Sequence, residues 1–476
     1  MGKLEDIIDL AQTTTDLQRR KKQSEKFSVY LDDFVGLVDQ KIREQFHEDN
    51  YERLYKMIAT YYNLLKKVVN SKSMLYKKAA SRIWHKKGTE EIEGEQVPIE
   101  DEKYAEFIAD TNINTASQTI NKYANTNNIS FMRLKINDIK KTIDYEAIPT
   151  ENMVVLQDPN DPFIVIAVMH EIVTNNEIYW IYSDNEKTVK LSKDFSKQWD
   201  EQPALYLDPN TGTGIIPYVP VWATLPMAND FWAYTVNDDL YYATIQLNVH
   251  LTHFNNVMKT GCYKQITFTG VTTEDVKRLY DHVTDGLSPI ALTGEGAKID
   301  ALLMAEKFSE FMDAIDLIAS RVLDQHGFDL ESQSKSASKS SGISIKLRQD
   351  QLNDIKEEQQ PLFRDYESKL AYYTAVIANQ VFGTGIDING KLNINFFEEN
   401  PGLLLEDTAV LDWQMGKGFK SVTEVFKKFN PDIPNAQIEQ TIIDNIAEYK
   451  KLTGFGSETD NELDQAFEEE QTNTEV

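Results

Sequence analysis

SQSKSASKSSGISIKLR, residues 332–348, is a basic island in an acidic chain of 476 residues whose formal net charge is −27. No acidic residue stands between Glu331 and Asp350, whereas Lys335, Lys339, Lys346 and Arg348 all fall inside. Serine, alanine and glycine around the first two lysines bury little apolar surface, so the first half predicts a mobile loop. The second half runs into a helical pattern over about 344–381, with Pro361 inside it and a kink expected there. A lysine-bearing loop at the head of a long helix suggests local contact with a polyanion, and a plain surface linker is the competing reading. The charge of the whole chain argues against general DNA binding.

Upstream, residues 305–325 predict another helix, and 230–259 a long one, with Phe231, Tyr234, Tyr241, Ile245, Val249 and Val257 as apolar contacts and Gly261 just past its end. Between them lies a compact αβ stretch. Its expected elements are strands at Tyr263–Thr269, Pro289–Thr293 and Lys298–Leu302 and a helix at Thr273–Thr284. Residues 1–85 read as helices, with apolar positions from Tyr51 to Trp84 at helical spacing. The basic residues there, from Lys66 to Lys87 and including Lys72 and Arg82, suit an anion patch or a solvated helix face, and the solvated face is favoured. A polar break at Gly88–Glu102 and a helix at 103–125 follow. From Met153 the period becomes that of strands. Phe163–Val173 and Glu177–Tyr182 predict a β-hairpin, and Ile215–Trp222, which carries Pro217 and Pro220, an edge strand. Past a strand at Leu392–Phe397 the chain turns helical, with a capping box at Ser421–Glu424. The tail from Ser457 holds eight acidic residues and no basic one, and reads as disordered.

Apolar residues make up 41% of the chain, enough for real cores, and the length allows about three domains or one elaborate fold. Cys262 is the only cysteine, so a reducing compartment or indifference to redox is implied. No apolar run approaches the ~20 residues that span a bilayer, and MGKLEDIIDL lacks the layout of a signal peptide, so a soluble protein made in a cytoplasm is expected, without membrane contact.

Catalytic chemistry finds little support. Gly416-Lys417-Gly418 lacks the rest of a phosphate-binding loop and reads as a helix C-cap, and Thr293–Gly296 as a hairpin turn. His250 and His253 have a spacing that binds metal on a helix, but no third ligand is near in sequence, and a structural role is favoured. Asp238 and Asp239 read as a solvated helix face. No catalytic, cofactor-binding or metal residue is assigned, and the chain is expected not to be an enzyme.

In this order the elements resemble the portal proteins of tailed bacteriophages. Residues 216–220, IPYVP, lead into the 230–259 helix much as a proline-bearing segment precedes the first stem helix of that family. Residues 340–345, SSGISI, resemble the family's serine–glycine segment beside the tunnel loop. Residues 393–397, NINFF, followed by 418–423, GFKSVT, are similar to its strand-then-crown pattern. The resemblance covers roughly residues 51–452 and leaves the first fifty residues and the acidic tail unmatched.

The resemblance implies an α+β, mainly helical portal-type fold with wing, stem, clip and crown that forms a ring. The wing takes 1–229, the stem helices 230–260 and 305–326, and the clip 261–304. The tunnel loop takes 327–349, the long kinked helix and wing strand 350–406, the crown 407–456, and the acidic tail 457–476. It also implies a dodecamer at one capsid vertex of the virion, with double-stranded DNA in the channel. The partners are terminase, head-completion or adaptor proteins, and the major capsid protein. Lys335, Lys339, Lys346 and Arg348 are then DNA-channel residues. Tyr241, Phe254, Phe308 and Phe311, with Tyr242, are contacts between subunits, because a lone helix pair leaves such aromatics wet. The alternatives are another structural adaptor or scaffold protein of a virion, or a nucleic-acid-processing enzyme.

Overall fold

The computed structural model describes residues 2–45, 55–92, 95–174, 177–225, 230–261, 265–269, 298–302, 308–328 and 342–396, together with 421, 423, 442 and 443. The chain divides into two compact units, Met1–Phe397 and Glu398–Val476, and every element named below belongs to the first. The C-terminal helices expected from the sequence and the acidic tail lie outside the described residues, apart from those four positions.

Three helices open the chain: α1 (Lys3–Gln12), α2 (Thr14–Tyr30) and α3 (Val35–Gln45). Thr13 caps α2, its hydroxyl accepting from the Asp16 amide at 3.2 Å. After a short helix, α4 (Leu64–Lys72), the expected continuous helical region breaks down. Ser81–Ile92 is a strand, β1, and the polar stretch after it holds β2 (Glu95–Glu100). β1 pairs antiparallel with both β2 and β13 (Lys391–Asn395), Trp84 lying opposite Leu392. Its partner on one side stands about three hundred residues away, so local periodicity could not announce it.

The helix expected over 103–125 is two helices, α5 (Glu102–Ala109) and α6 (Ile113–Asn127), parted at 110–112. The change to strand period comes earlier than Met153. β3 (Ile129–Asn137) and β4 (Thr142–Ile148) form a hairpin in which Phe131 faces Ile148 and Asn137 faces Thr142. β10 (Tyr218–Trp222) pairs with β3 only, at the edge of the three-stranded order β10-β3-β4, where Pro220 costs no ladder bond of an inner strand. A second, five-stranded antiparallel sheet runs in chain order: β5 (Met153–Gln157), β6 (Val165–Val173), β7 (Ile178–Asp184), β8 (Lys187–Ser192) and β9 (Gln198–Pro203). The expected hairpin is its β6–β7 pair, with Ile181 opposite His170. One face of this sheet buries Trp180, Tyr182, Val189 and Leu191 against Leu4, Ile7 and Ala11 of α1.

Four further elements are α7 (Asp238–Gly261), the antiparallel strands β11 (Gln265–Thr269) and β12 (Lys298–Leu302), and α8 (Phe308–Gln325). Gly261 is the last residue of α7 rather than the first beyond it. The helix and strand expected between β11 and β12 lie outside the described residues. The last helix, α9 (Gly342–Phe382), runs 41 residues with Pro361 inside, and so begins within the stretch assigned to a loop. Phe363, Tyr366, Glu367, Leu370, Thr374 and Ile377 are buried along one face at helical spacing. Gly383, with φ 66°, ends it in the left-handed conformation that glycine adopts without strain.

α9 is tied to β1 by a buried ion pair. Glu367 accepts from Arg82 Nε at 2.8 Å and Nη2 at 2.6 Å, and from the Tyr76 hydroxyl at 2.7 Å. Asn114 and Ser117 of α6 accept from Nη1 and Nη2 at 2.8 and 3.0 Å. Burial alone lowers the Arg82 pKa, but the adjoining Glu367 carboxylate more than offsets this and holds it above its ordinary value. Arg82 is therefore not part of a solvated basic face. It is a buried residue of a strand, paired with a carboxylate.

Candidate functional site

The region the sequence singles out is the helix pair α7–α8 and the chain that follows it. The pair runs antiparallel: Asp239 at the start of α7 meets His326 just past the end of α8, and Phe254 late in α7 stacks on Phe311 early in α8. The strand pair β11–β12 lies in sequence between the two helices, beyond their far ends.

The near end of the pair is held by charge. Asn237, at φ 63°, turns the chain into α7 and donates from its side chain to the carbonyls of Asn125 (2.8 Å) and Thr126 (3.3 Å). Asp238 then pairs with Lys22, and with Lys26 at 2.6 Å. Lys26 is fully buried on α2 and also donates to the carbonyls of Tyr234 (2.6 Å) and Val236 (2.7 Å). Burial lowers the Lys26 pKa and Asp238 opposes that shift. Asp238 is thus a structural anchor and not a residue of a solvated face. Asp239 accepts from His326 Nε2 at 2.6 Å, and His326 Nδ1 lies 3.1 Å from Lys72 Nζ on α4. In that arrangement the imidazole carries its proton on Nε2 and accepts from Lys72. Burial lowers the His326 pKa, Lys72 lowers it further, and Asp239 works against both.

The side of α7 is a polar stripe that apolar periodicity did not reveal. Thr244, Asn248 and Thr252 follow one another at i, i+4 and i+8, all buried. Their side-chain oxygens accept from the backbone amides of Leu65 (3.2 Å), Tyr62 (3.2 Å) and Ala59 (2.9 Å), and Asn248 donates back to the Tyr62 carbonyl at 2.6 Å. The non-helical stretch before α4 and the first turn of α4 thereby satisfy backbone amides against α7. The sequence signal was the T-x3-N-x3-T spacing itself.

Of the expected subunit contacts, Tyr241 already has cover within the chain: it is 7% exposed and its hydroxyl donates to Glu25 at 2.9 Å. The reason given for its waiting on another subunit does not hold, because α2 packs over it. Phe254 and Phe311 partly cover one another, their rings stacked at 5.4 Å and 8°. Tyr242 is 57% exposed, and Leu317 and Ile318 on α8 are 51% and 44% exposed. Phe308 begins α8. Lys346 and Arg348 stand on the first turns of α9, where the backbone alone is described, and Lys335 and Lys339 lie outside the described residues. Residues 262–264, with Cys262, also lie outside them. His250 Nε2 lies 3.2 Å from Gln246 on the same helix, and among the described residues no group of three or more His, Cys, Asp or Glu could hold a metal ion. No described helix is long and apolar enough to cross a membrane.

No family model matches this chain, and no curated protein matches it in sequence. Solved structures similar to it include "Neck of native GTA particle computed with C12 symmetry", at TM-score 0.47 and 9% identity, covering 81% of this chain and 94% of that one. "Virion of native gene transfer agent (GTA) particle" follows at 0.44 and 9%, covering 82% and 94%. "Neck of empty GTA particle computed with C6 symmetry" stands at 0.42 and 8%, covering 80% and 93%. Likeness this loose carries no statement about what the chain does.

Proposed function

We propose that the chain is the subunit of a portal-type ring: a non-enzymatic protein of a virion, at one capsid vertex, through which double-stranded DNA is packaged and released. The observation that supports it is the antiparallel pair α7–α8, with the β11–β12 strands between its helices in sequence and the 41-residue helix α9 after it. This is the order in which the resemblance sets stem, clip, stem and long helix. In this reading residues 261–304 are the docking surface for terminase and later for head-completion proteins, the major capsid protein surrounds the ring, and the motor hydrolyses ATP. The ring is a dodecamer. Exposed Tyr242, Leu317 and Ile318 leave the pair an apolar outer face for neighbouring copies.

Lys335 and Lys339, with Lys346 and Arg348, face the channel in this proposal. Twelve copies bring about four dozen positive charges toward the axis, enough to matter for a polymer of one charge per about 1.7 Å. The acidic remainder of the chain keeps the channel from holding DNA fast.

Negative-stain images of purified protein test the ring: closed particles with a central channel are expected, and a monomer by light scattering at high concentration overturns the reading. Lys335→Glu with Lys339→Glu tests the channel, with intact rings and impaired packaging or retention of DNA expected. Packaging equal to the parent removes these lysines from the assignment.

A further inference from the structure

A ring whose subunits meet head to tail needs two different surfaces on each subunit, one fitting the other. The described residues carry a convex and a concave feature that match in polarity and charge.

The convex feature is the turn between β3 and β4. Ile139 stands there 96% exposed, between exposed Asp138 and exposed Lys140 and Lys141. One exposed isoleucine on a surface is ordinary. This one sits at a hairpin apex, where Asn, Asp and Gly are usual, and the apex is braced. The Lys140 amide donates to Asn137 Oδ1 at 3.1 Å, and Asn137 Nδ2 donates to Asp144 at 2.9 Å. Lys141 has φ 56°, a left-handed conformation that a lysine adopts at some cost where glycine adopts it freely. The turn therefore presents an apolar tip beside two lysines and one aspartate without the freedom of a glycine loop.

The concave feature is a groove of about 410 Å³ where α2 and α3 face α7 and α8. Its apolar lining includes Leu37, Tyr242, Ile245 and Ile318, of which Tyr242 and Ile318 are 57% and 44% exposed. Its charged lining is Glu25, Glu44 and Lys41, two carboxylates against one lysine; Lys41 pairs with Glu44 at 2.8 Å, and exposed Lys21, outside the lining, reaches Glu25 at 3.9 Å. The tip carries one net positive charge and the groove one net negative charge, each around an apolar centre. The groove has room for an isoleucine with lysine stems laid along its walls. In a chain of net charge −27, contacts through the basic tip also limit repulsion between copies.

We propose that Ile139 of one copy seats in this groove on the next, beside Tyr242 and Ile318, with Lys140 and Lys141 set against Glu25 and Glu44. The inference rests on the ring reading above and adds to it the pair of surfaces by which copies recognise one another. Such a contact joins different faces of the two copies, so it propagates and closes only as a ring.

The test uses the full chain with Cys262→Ser, which removes the only native thiol. Adding Ile139→Cys and Ile318→Cys together, followed by mild oxidation, is expected to produce a ladder of disulfide-linked oligomers on a denaturing gel. Either cysteine alone is expected to give none beyond dimers. In a second measurement, Ile139→Asp raises the concentration needed for assembly by about tenfold or more, the loss of one well-buried contact. Ile139→Val leaves assembly near the parent, and circular dichroism and thermal unfolding stay unchanged in both, because the tip is free of the core. If the parent forms rings and Ile139→Asp does so equally well, the tip plays no part and the proposal fails. Loss of assembly in Ile139→Asp without a ladder in the double-cysteine chain overturns the groove as its seat. A parent that stays monomeric under all conditions refutes the ring itself, which separates that failure from this one.

Discussion

The junction of β1 with α9 and the pair α7–α8 are both built from long-range contacts, yet they stabilise the fold by different means. At the junction a carboxylate and a guanidinium are sealed away, with side-chain exposures of 1% and 2%, and the guanidinium is bonded to Glu367, Asn114 and Ser117. The helix pair buries Lys26 against Asp238, but its link between the two helices lies nearer the surface: Asp239 is 44% exposed and its partner His326 15%. Its aromatic contact is one stacked ring pair, and its outer face stays open. Sealed charge is costly to break because the orphaned partner cannot rehydrate. Half-exposed charge yields more gently and suits a surface that adds neighbours later.

Four measurements sharpen or break that contrast. The largest effect is expected from Glu367→Ala, which strands Arg82 in the core and lowers the unfolding free energy by about 3–5 kcal/mol in a urea titration. A loss under about 1 kcal/mol would mean that water reaches the guanidinium, and the contrast would collapse.

Next comes Asn248→Ala, which leaves the amide and carbonyl of Tyr62 without their partner. A loss of about 1–3 kcal/mol is expected, with faster amide exchange confined to the stretch before α4. Exchange spread evenly over the unit would show that the stripe acts only through global stability.

Smaller again is the Phe254–Phe311 contact. A double-mutant cycle to alanine should return a coupling of about 0.5–1.5 kcal/mol in dilute protein. A coupling of zero would show that the rings are stacked without mutual stabilisation and need cover from elsewhere.

The smallest effect is a pH slope. His326 is held below its ordinary 6.5 in the folded chain, chiefly by burial. Its contribution is therefore fully present above 6.5 and is lost as pH falls from there through the lowered folded value. His326→Gln should flatten that part of a plot of unfolding midpoint against pH. An unchanged slope in the variant would place the titrating group elsewhere.

Much of the fold was legible in the sequence where a single element carries its own period. α8, α9, the β6–β7 hairpin and the edge strand β10 lie within a few residues of expectation, because an amphipathic face or a proline at an edge is a local signal; α7 starts at Asp238 rather than at 230, so Phe231 and Tyr234 precede it. The start of β1 suits a helical period as well as a strand's, and its end reads as a polar break, because what makes it a strand is in part β13, far along the chain. β3 and β4 escaped for a related reason: their alternation is weak, with several consecutive residues buried on both faces between α6 and the neighbouring sheet. Of the candidate site, the two helices are legible in the sequence. The T-x3-N-x3-T stripe and the polar face of α2 are not, since buried polar residues look like solvated ones until their partners are known.

The sequence by itself determined the acidic character of the chain, the isolated basic stretch at 332–348, the order of the long helices and the single thiol, since each of these is a property of composition or of a short window. Only the tertiary structure decided which charges are sealed and which are open. Arg82 and Lys66 stand in the same basic run, yet Arg82 is locked against Glu367 in the core while Lys66 reaches out to Asp32 at the surface. The physical reason is that the energy of a charge depends on the dielectric and the partners around it, and those are supplied by residues from tens to hundreds of positions away.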